Sequence, residues 1–283
     1  MTFIPLAVAV GAEIMPGTSV TGIKTDGAGC VTAVVSMRNG AEERQPCRAL
    51  FLCAGAVETL RLMLLNRLGR GPVGRHFVAH TGVQLWGTFD EEVRPYEGLL
   101  GGLISEDTHR PADADLAGGY LLQSIAVMPV TYASQVARGR GLWGRALLDH
   151  MRGFNHVAEI DILGQCLPHP DNRVELSGKP DARGLPKPRV HFSTGGNERR
   201  MKAHAERTMR AIWAAAGVRD MWTFPRYAHT VDTCRMGLSE DDAMVDADGR
   251  AFGHPSLVVC DNSVFPLALF LRTTDRFLGT SSA

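Results

Sequence analysis

Short apolar runs separated by glycine-containing turns fill the first sixty residues and limit the fold more than any other feature of the chain. Residues 18–23 and 31–35 have the length and the β-branched content of strands. The turn pairs Asp26-Gly27 and Asn39-Gly40 follow these two runs, and such pairs favour tight hairpin turns. The chain is therefore predicted to begin with antiparallel β-structure.

A strand, a turn of small residues and a helix come next. Residues 49–53 have the composition of a short buried strand. Residues 58–66 place Leu62 and Leu65 on one face of a predicted helix. Residues 69–82 are rich in glycine and predict a loop, and the stretch after them carries no pattern that assigns it.

The second half of the chain predicts further strands and one long helix. Strands are expected over residues 158–163, 189–192 and 257–260. Asn197 is expected to cap a helix that continues to Ala216, because apolar residues recur at helical spacing and a glycine follows. A terminal amphipathic helix is expected over residues 267–278. The chain is therefore assigned to the mixed α/β (α+β) class.

Size and charge narrow the range of partners. The 283 residues allow one large domain or two smaller ones, and two intertwined halves fit best. Thirty basic residues balance thirty acidic ones, so no net field would draw nucleic acid or an anionic membrane to the chain. A small neutral molecule is the expected partner.

Hydropathy and cysteine content bear on the compartment. No stretch approaches the roughly 20 apolar residues of a transmembrane helix, so we expect a soluble chain without a transmembrane segment. The cytoplasm and the periplasm both remain open. The six cysteines are scattered, and Cys53 and Cys260, which end apolar runs, are expected to be buried thiols and not part of a disulfide framework.

Three motifs stand in a definite order along the chain. They are Cys53-Ala-Gly-Ala-Val-Glu-Thr, His229-Thr-Val-Asp-Thr-Cys-Arg-Met-Gly and Leu257-Val-Val-Cys-Asp-Asn-Ser-Val-Phe-Pro. The segments Gly74-Arg-His-Phe, Pro170-Asp-Asn-Arg-Val-Glu-Leu and Asp181-Ala-Arg-Gly-Leu-Pro link them. Together the motifs resemble the glucose-methanol-choline oxidoreductases, and the linking segments resemble the gluconate and fructose dehydrogenase branch.

The resemblance implies a fold and an activity. It implies a partial FAD-binding domain of Rossmann type interleaved with a substrate domain built on an antiparallel sheet, with FAD along their interface. Residues 1–80 would be the remainder of the FAD-binding domain, 81–225 the substrate domain, and 226–283 the return to the FAD-binding domain. The implied reaction oxidises the CH–OH group of an alcohol or sugar by hydride transfer to flavin, with oxygen, a quinone or a cytochrome as electron acceptor.

The resemblance also implies roles for six residues. His229 would take the hydroxyl proton of the substrate, a task that suits a group titrating near neutral pH. The cofactor-binding residues would be Val20 at the adenine, Ala54 and Gly55 at the adenosine half, Asp261 near the cofactor and Asn262 with its backbone N–H close to the pyrophosphate. From the residues alone, each of these six could equally be a structural residue in a turn, a helix cap or the core.

Several features depart from the family pattern. No Gly-x-Gly-x-x-Gly motif is found in the sequence, and Met1 resembles a point well inside the family's sequence. A loop with a second active-site asparagine or histidine is expected after Pro266 but not found, so we expect an incomplete chain of low activity. Asp232 replaces the usual glycine and would crowd its turn if that turn needs positive φ. Leu60 replaces a common proline.

Three other interpretations compete with this one. His76 and His80 have the spacing of zinc ligands on a helix, although Phe77 stands where a zinc protease has glutamate and the flanks predict a loop, so no metal is expected. Cys234 would be a nucleophile with His229 as its base if its thiol were exposed. The third is a decayed gene product, or a non-catalytic fragment that needs a complementary flavin domain and exposes an apolar patch.

Overall fold

The computed structural model describes residues 3–97 and 101–268. Contacts divide these residues into two compact units, each assembled from separate stretches of chain. The first unit comprises residues 3–74, 174–190 and 233–264. The second unit comprises residues 75–97, 101–173, 191–232 and 265–268.

The described residues form five α-helices and thirteen strands. The helices are α1 (Phe3–Ala9), α2 (Gly55–Leu65), α3 (Pro129–Arg140), α4 (Gly144–Met151) and α5 (Gly196–Ala215). The strands are β1 (Thr18–Thr25), β2 (Val31–Arg38), β3 (Ala41–Pro46), β4 (Leu50–Leu52), β5 (Val78–Thr88), β6 (Leu103–Ser105), β7 (Tyr120–Ser124), β8 (Val157–Gly164), β9 (Arg173–Pro180), β10 (Pro186–His191), β11 (Arg219–Val231), β12 (Arg250–Ala251) and β13 (His254–Val259). Short 3-10 helices cover Phe154–His156 and Asn262–Val264. No helix in the described ranges is long and apolar enough to cross a bilayer.

The first unit begins with the predicted antiparallel sheet, in the order β1-β2-β3. The carboxylate of Asp26 accepts hydrogen bonds from the backbone N–H groups of Ala28 and Cys30, each at 2.9 Å, and closes the first turn. Asn39 and Gly40 both have positive φ, 50° and 81°, as a two-residue hairpin turn of this kind requires. Both predicted hairpins are thereby confirmed.

A second sheet of the first unit, in the order β12-β13-β4, contains a parallel strand pair. Leu257 pairs with Leu50 and Val259 with Leu52, so β13 and β4 end at the same edge. Helix α2 starts three residues after β4 and buries Leu60 and Met63 completely. This strand-turn-helix unit was predicted from residues 49–66, although the helix begins three residues earlier than expected.

The second unit is built on a five-stranded antiparallel sheet, in the order β11-β5-β8-β7-β6. One face packs against α5, where Met201, Ala205 and Met209 lie fully buried in a cluster with residues of β5, β7 and β8. A second apolar cluster surrounds Trp86 and Tyr132. The helices and antiparallel sheets of the two units confirm the predicted mixed α/β class.

The predicted loop over residues 69–82 is wrong from Val78 onward, because β5 begins there. Its first ten residues are all buried, including His80, Thr81 and Gln84. A strand buried on both faces does not alternate between polar and apolar residues. Because several buried side chains of β5 are polar and have partners within the sheet, the hydropathy of the sequence does not indicate a strand here.

Two smaller expectations also fail. Gly195, not Asn197, precedes the first turn of α5, and Asn197 is buried while its Oδ1 accepts the N–H of Ala117 at 2.9 Å. Cys53 and Cys260 are free thiols as predicted but exposed, because each follows the last residue of its strand at the open edge of the parallel pair.

The predicted terminal helix mostly lies outside the described residues. Only Leu267 and Ala268 of that range are described, and neither is helical. Ala268 instead forms an antiparallel bridge with Cys166.

Candidate functional site

His229 lies where β11 departs from regular pairing with β5. Ala228 pairs with His80 and Val231 with Val78, so two residues of β11 stand opposite one residue of β5. This bulge gives His229 a φ of 48° and leaves the side chain exposed. Bulges are common beside active sites because they redirect a side chain out of the strand pattern.

The ring of His229 is hydrogen-bonded to a second histidine. The two Nδ1 atoms of His229 and His80 are 3.0 Å apart, and the rings meet edge to face at an interplanar angle of 84°. His80 is 4% exposed, so the pair has one open and one buried member. In a neutral pair one Nδ1 must donate and the other must accept. The tautomers of the two rings are therefore linked.

Electrostatics favour a neutral His229. Partial burial, and to a smaller degree the guanidinium of Arg226, lower the pKa of His229 below its ordinary value. A neutral imidazole has an acceptor nitrogen available for a proton. His229 can therefore act as a base at neutral pH.

Asp232, in the turn after His229, stands where the family usually has glycine, and the turn does require positive φ at this position. Asp232 has a φ of 71° and is fully buried. Aspartate tolerates the left-handed region better than most residues other than glycine. The chain thus keeps the turn geometry without the usual glycine. Leu60, where the family commonly has proline, is a buried residue inside α2.

The candidate cofactor residues Gly55 and Asp261 contact each other in the first unit. Asp261 Oδ2 accepts the backbone N–H of Gly55 at 2.9 Å and the hydroxyl of Thr59 at 2.5 Å. The same hydroxyl accepts the N–H of Ala54 at 3.0 Å. Asp261 Oδ1 accepts the N–H of Ser263 at 2.9 Å. The aspartate thus joins the end of β13 to the first turn of α2.

Thr59 is a site residue that the sequence analysis missed. It is fully buried, and its hydroxyl links Ala54, in the turn between β4 and α2, to the carboxylate of Asp261. Its position four residues after Gly55, inside the first motif, was the available signal. Val20 lies elsewhere in the first unit, on β1 opposite Ser36, just before an irregularity in the pairing.

The edge of the parallel sheet was tested for its fit to FAD. Ligands of α/β proteins bind at the carboxyl ends of parallel strands. A Cβ built on Gly55, whose φ is 81°, would meet no atom closer than the Oδ1 of Asn262 at 3.7 Å. The surface directly above the Cα of Gly55 is therefore open. Because the N–H of Gly55 is already donated to a carboxylate, this turn fits the adenosine half of FAD better than the pyrophosphate.

Two competing sites from the sequence do not form. His80 lies in a strand, so His76 and His80 do not share a helix face. Within residues 3–97 and 101–268, no group of three or more histidine, cysteine, aspartate or glutamate residues could hold a metal ion. Cys234 is fully buried, with its sulfur 3.8 Å from that of Met63, so the thiol is not the exposed nucleophile that the alternative requires.

Two buried carboxyl groups in β8 are further residues that the sequence analysis missed. Asp161 is ion-paired with Arg226 and accepts the Nε2 of Gln123 at 3.3 Å. Glu159 accepts the Nε2 of Gln84 at 2.5 Å. The signal was available, because the apolar run over residues 158–163 contains both acids at a spacing of two.

The environments of these acids shift both pKa values upward. Burial raises the pKa of Asp161 to about 6, against the opposing effect of Arg226. Burial, and then the charge of Asp161, raise the pKa of Glu159 well above its ordinary value. Arg226 is thus the positive charge near both Asp161 and Glu159. Burial thus favours the neutral form of Glu159.

The chain is similar in sequence to known oxidoreductases. A family model described as GMC oxidoreductase matches residues 168–274, a range that includes His229, Asp261 and Asn262. The large subunit of fructose dehydrogenase from Gluconobacter japonicus is 26% identical over 298 residues, which cover 95% of this chain and 54% of the subunit. A long-chain-alcohol oxidase of Arabidopsis thaliana is 26% identical over 253 residues, covering 78% of this chain and 33% of the oxidase. The chain thus spans between a third and about half of these relatives.

Solved structures share the fold. Pyridoxine 4-oxidase from Mesorbium loti matches with a TM-score of 0.63 at 17% identity, over 89% of this chain and 53% of the oxidase. A variant of formate oxidase from Aspergillus oryzae matches with a TM-score of 0.66 at 14% identity, over 89% of this chain and 56% of that chain. The match of residues 168–274 to the GMC oxidoreductase model confirms the resemblance to the glucose-methanol-choline (GMC) oxidoreductases inferred from the three motifs.

Proposed function

We propose that this chain contributes the proton-accepting histidine and part of the cofactor site to an FAD-dependent oxidation of a CH–OH group in an alcohol or sugar. The observation that carries the proposal is the hydrogen bond between His229 and His80. It places an exposed, neutral imidazole on a buried imidazole that orients it. Such an arrangement suits general-base chemistry, in which a second group fixes the ring and its tautomer.

The tautomer of the pair follows from this role. A base at Nε2 of His229 requires the proton of that ring to be on Nδ1. This Nδ1–H then donates to Nδ1 of His80, whose own proton is on Nε2. When Nε2 of His229 takes the hydroxyl proton, the Nδ1–H is retained, and His80 accepts a stronger hydrogen bond from the imidazolium. His80 thereby stabilises the charge that develops on its neighbour.

Residues of the first unit would hold FAD. Ala54 and Gly55 supply a turn without bulk for the adenosine half, Asp261 and Asn262 follow the neighbouring strand, and Val20 offers its backbone to the adenine. When bound there, FAD would supply the acceptor for the hydride of the substrate carbon. Support comes from the open surface at Gly55 and from the match of the GMC model across Asp261 and Asn262. Residues 1–80 and 226–283 would form the remainder of a Rossmann-type FAD-binding domain, interleaved with a substrate domain at 81–225.

Visible absorption spectroscopy tests the proposal. The purified chain is incubated with FAD, freed of unbound cofactor, and mixed without oxygen with an alcohol or a sugar. We expect shifted flavin bands that bleach on addition of substrate. A chain that retains no flavin would show that these residues do not suffice to hold it. Bound flavin that no CH–OH compound bleaches would overturn the proposed reaction.

The electron acceptor is tested in the same preparation. Both oxidases and dehydrogenases occur among the relatives, so oxygen, a quinone and a cytochrome are added separately to the reduced chain. Reoxidation by only one of them would assign the acceptor.

A further inference from the structure

A cavity of about 590 Å³ lies on the face of the second unit's sheet that carries His80. This volume falls within the usual range for small-molecule sites, about 300 to 1,000 Å³. Gln84 and Arg226 line it from β5 and β11, and Gln135 and Arg138 line it from α3. Aromatic side chains of β11 also contribute to the lining. All of these residues belong to the second unit.

The cavity and the histidine pair lie along the same two strands. Side chains two residues apart in a strand point to the same face, so Gln84 and His80 of β5 share a face. Arg226 pairs with Gly82, and Ala228, directly before His229, pairs with His80. At about 3.3 Å per residue, Arg226 lies roughly 7 Å along β11 from Ala228. A molecule of about six carbon atoms in the cavity can therefore extend toward His229.

Buried carboxyl groups hold the cavity's polar side chains in place. Arg226 is ion-paired with Asp161, which is 0% exposed, and Gln84 is hydrogen-bonded to Glu159, which is 3% exposed. Each side chain is thus held by a buried carboxyl group, and both residues line the cavity. Donors fixed in this way bind a hydroxyl oxygen without losing further side-chain freedom.

Two oxygen atoms in this network have no hydrogen-bond partner among the described residues. They are Oδ1 of Asp161 and Oε1 of Glu159, and both are buried. Buried acceptors of this kind are usually satisfied by a water molecule or a ligand hydroxyl. The cavity itself is lined by nitrogen donors of Gln84, Gln135, Arg138 and Arg226, and the hydroxyl oxygens of a polyol match these donors.

We propose that this cavity binds a polyhydroxylated substrate, a sugar or sugar alcohol, with Arg226 and Gln84 donating to its hydroxyl oxygens and presenting one hydroxyl to His229. This inference rests on the proposed function and selects between substrate classes that it leaves open. The alkyl chain of an unsubstituted aliphatic alcohol would bury Arg226 and Gln84 without accepting hydrogen bonds from them. A site built to hydrogen-bond hydroxyl groups rejects analogues that lack them.

Binding is measured without FAD, so that this inference and the proposed reaction can fail separately. The probes are D-sorbitol and 1-hexanol, which have six carbons each and differ in hydroxyl number. Tryptophan fluorescence reports occupancy, because Trp222 contacts Phe224, which lines the cavity. We expect a saturable change with D-sorbitol at a concentration at which 1-hexanol gives none. Equal or tighter binding of 1-hexanol would overturn the inference.

Arg226→Lys tests the residue assignment and keeps a cation beside Asp161. We expect at least a tenfold weaker affinity for D-sorbitol, because lysine lacks the planar fork of donors. Arg145→Lys is the matched control, on exposed α4 and outside the cavity, and should bind as the unmodified chain does. An unchanged affinity in Arg226→Lys, with circular dichroism confirming a folded chain, would refute the role of Arg226. Sorbitol binding without flavin reduction would refute only the proposed reaction.

Discussion

His80 holds His229 through a hydrogen bond between their Nδ1 atoms, 3.0 Å apart, with the first ring buried and the second open to solvent. Neither the spacing along the chain nor the motif around His229 indicates this contact. It arises because β5 and β11 are antiparallel neighbours and the bulge in β11 moves His229 out of the ladder. A catalytic histidine needs a group that fixes its tautomer, and His80 is in the position to do so.

Substitution of His80 should change the pH dependence of flavin reduction in the FAD-loaded chain. His80→Ala removes the acceptor for the imidazolium of His229, so the pKa of His229 falls further and the rate drops by about tenfold or more. His80→Asn keeps an amide oxygen near the former Nδ1 and should restore much of the rate. Unchanged rates and pH profile in His80→Ala would show that the contact only fills space.

Removal of the Thr59 hydroxyl should destabilise the first unit. Thr59→Val leaves the carboxylate of Asp261 and the N–H of Ala54 without their buried partner, at a cost of about 1–3 kcal/mol. Thr59→Ser keeps the hydroxyl and serves as the control, with a loss of about 1 kcal/mol for one methyl group. The measurement is urea unfolding followed by circular dichroism. Equal midpoints for the two variants would contradict this account of the turn.

The raised pKa of Asp161 should make stability fall as the pH rises from about 4 to about 6. The folded chain keeps a proton on Asp161 to a pKa of about 6, whereas the unfolded chain releases it near 3.8. Stability from this group is therefore complete below the lower value and lost above the higher one. Asp161→Asn should remove about 3 kcal/mol of that pH dependence, measured by urea unfolding at several pH values. A slope identical to that of the unmodified chain would show that the acid is not protonated when buried.

Asp181 should have the opposite pH dependence. Its carboxylate is hydrogen-bonded to Arg61 at 2.6 Å, and this contact lowers the pKa of Asp181 to about 2. The stabilisation is present above the ordinary pKa of 3.8 and is lost as the pH falls toward 2. Asp181→Asn should flatten acid unfolding, whereas the exposed control Asp149→Asn should not. An acid midpoint unchanged in Asp181→Asn would contradict the assignment of this ion pair.

The pair also explains one of the segments that linked the three motifs. Asp181 Oδ1 accepts the N–H groups of Arg183 and Leu185 at 2.8 and 3.0 Å, and closes the turn between β9 and β10. Arg61 binds the other oxygen of this carboxylate and also the carbonyl of Pro186 at 2.9 Å. The segment from Asp181 to Pro186 thus joins α2 to the β9–β10 turn within the first unit.

The elements that could be predicted from the sequence are those whose local signals agree with their burial. The turn at Asn39-Gly40 and the helix ending before Gly217 are examples, since positive φ at these positions selects glycine or asparagine. Strand β5 could not be predicted, because its polar residues His80 and Gln84 pair with His229 and Glu159 on neighbouring strands. Long-range partners leave no periodic trace in the sequence.

The candidate site divides in the same way. The motifs named His229 and Asp261 as candidates, and their resemblance to the GMC oxidoreductases is confirmed by the family model. They did not indicate His80, Thr59 or Asp161. These three act through hydrogen bonds to residues far away in the chain, so only the three-dimensional arrangement reveals what they hold.

The most direct test of the central claim is the rate at which substrate reduces bound flavin in the unmodified chain and in His229→Asn. Asparagine tolerates the φ of 48° at this position and has no basic nitrogen, so the variant should fold and bind FAD normally. The rate is followed by the loss of visible flavin absorbance without oxygen. We predict a rate about 10² to 10⁴ times lower in His229→Asn, as expected for the loss of a general base. Equal rates at equal flavin content would show that His229 does not accept the proton.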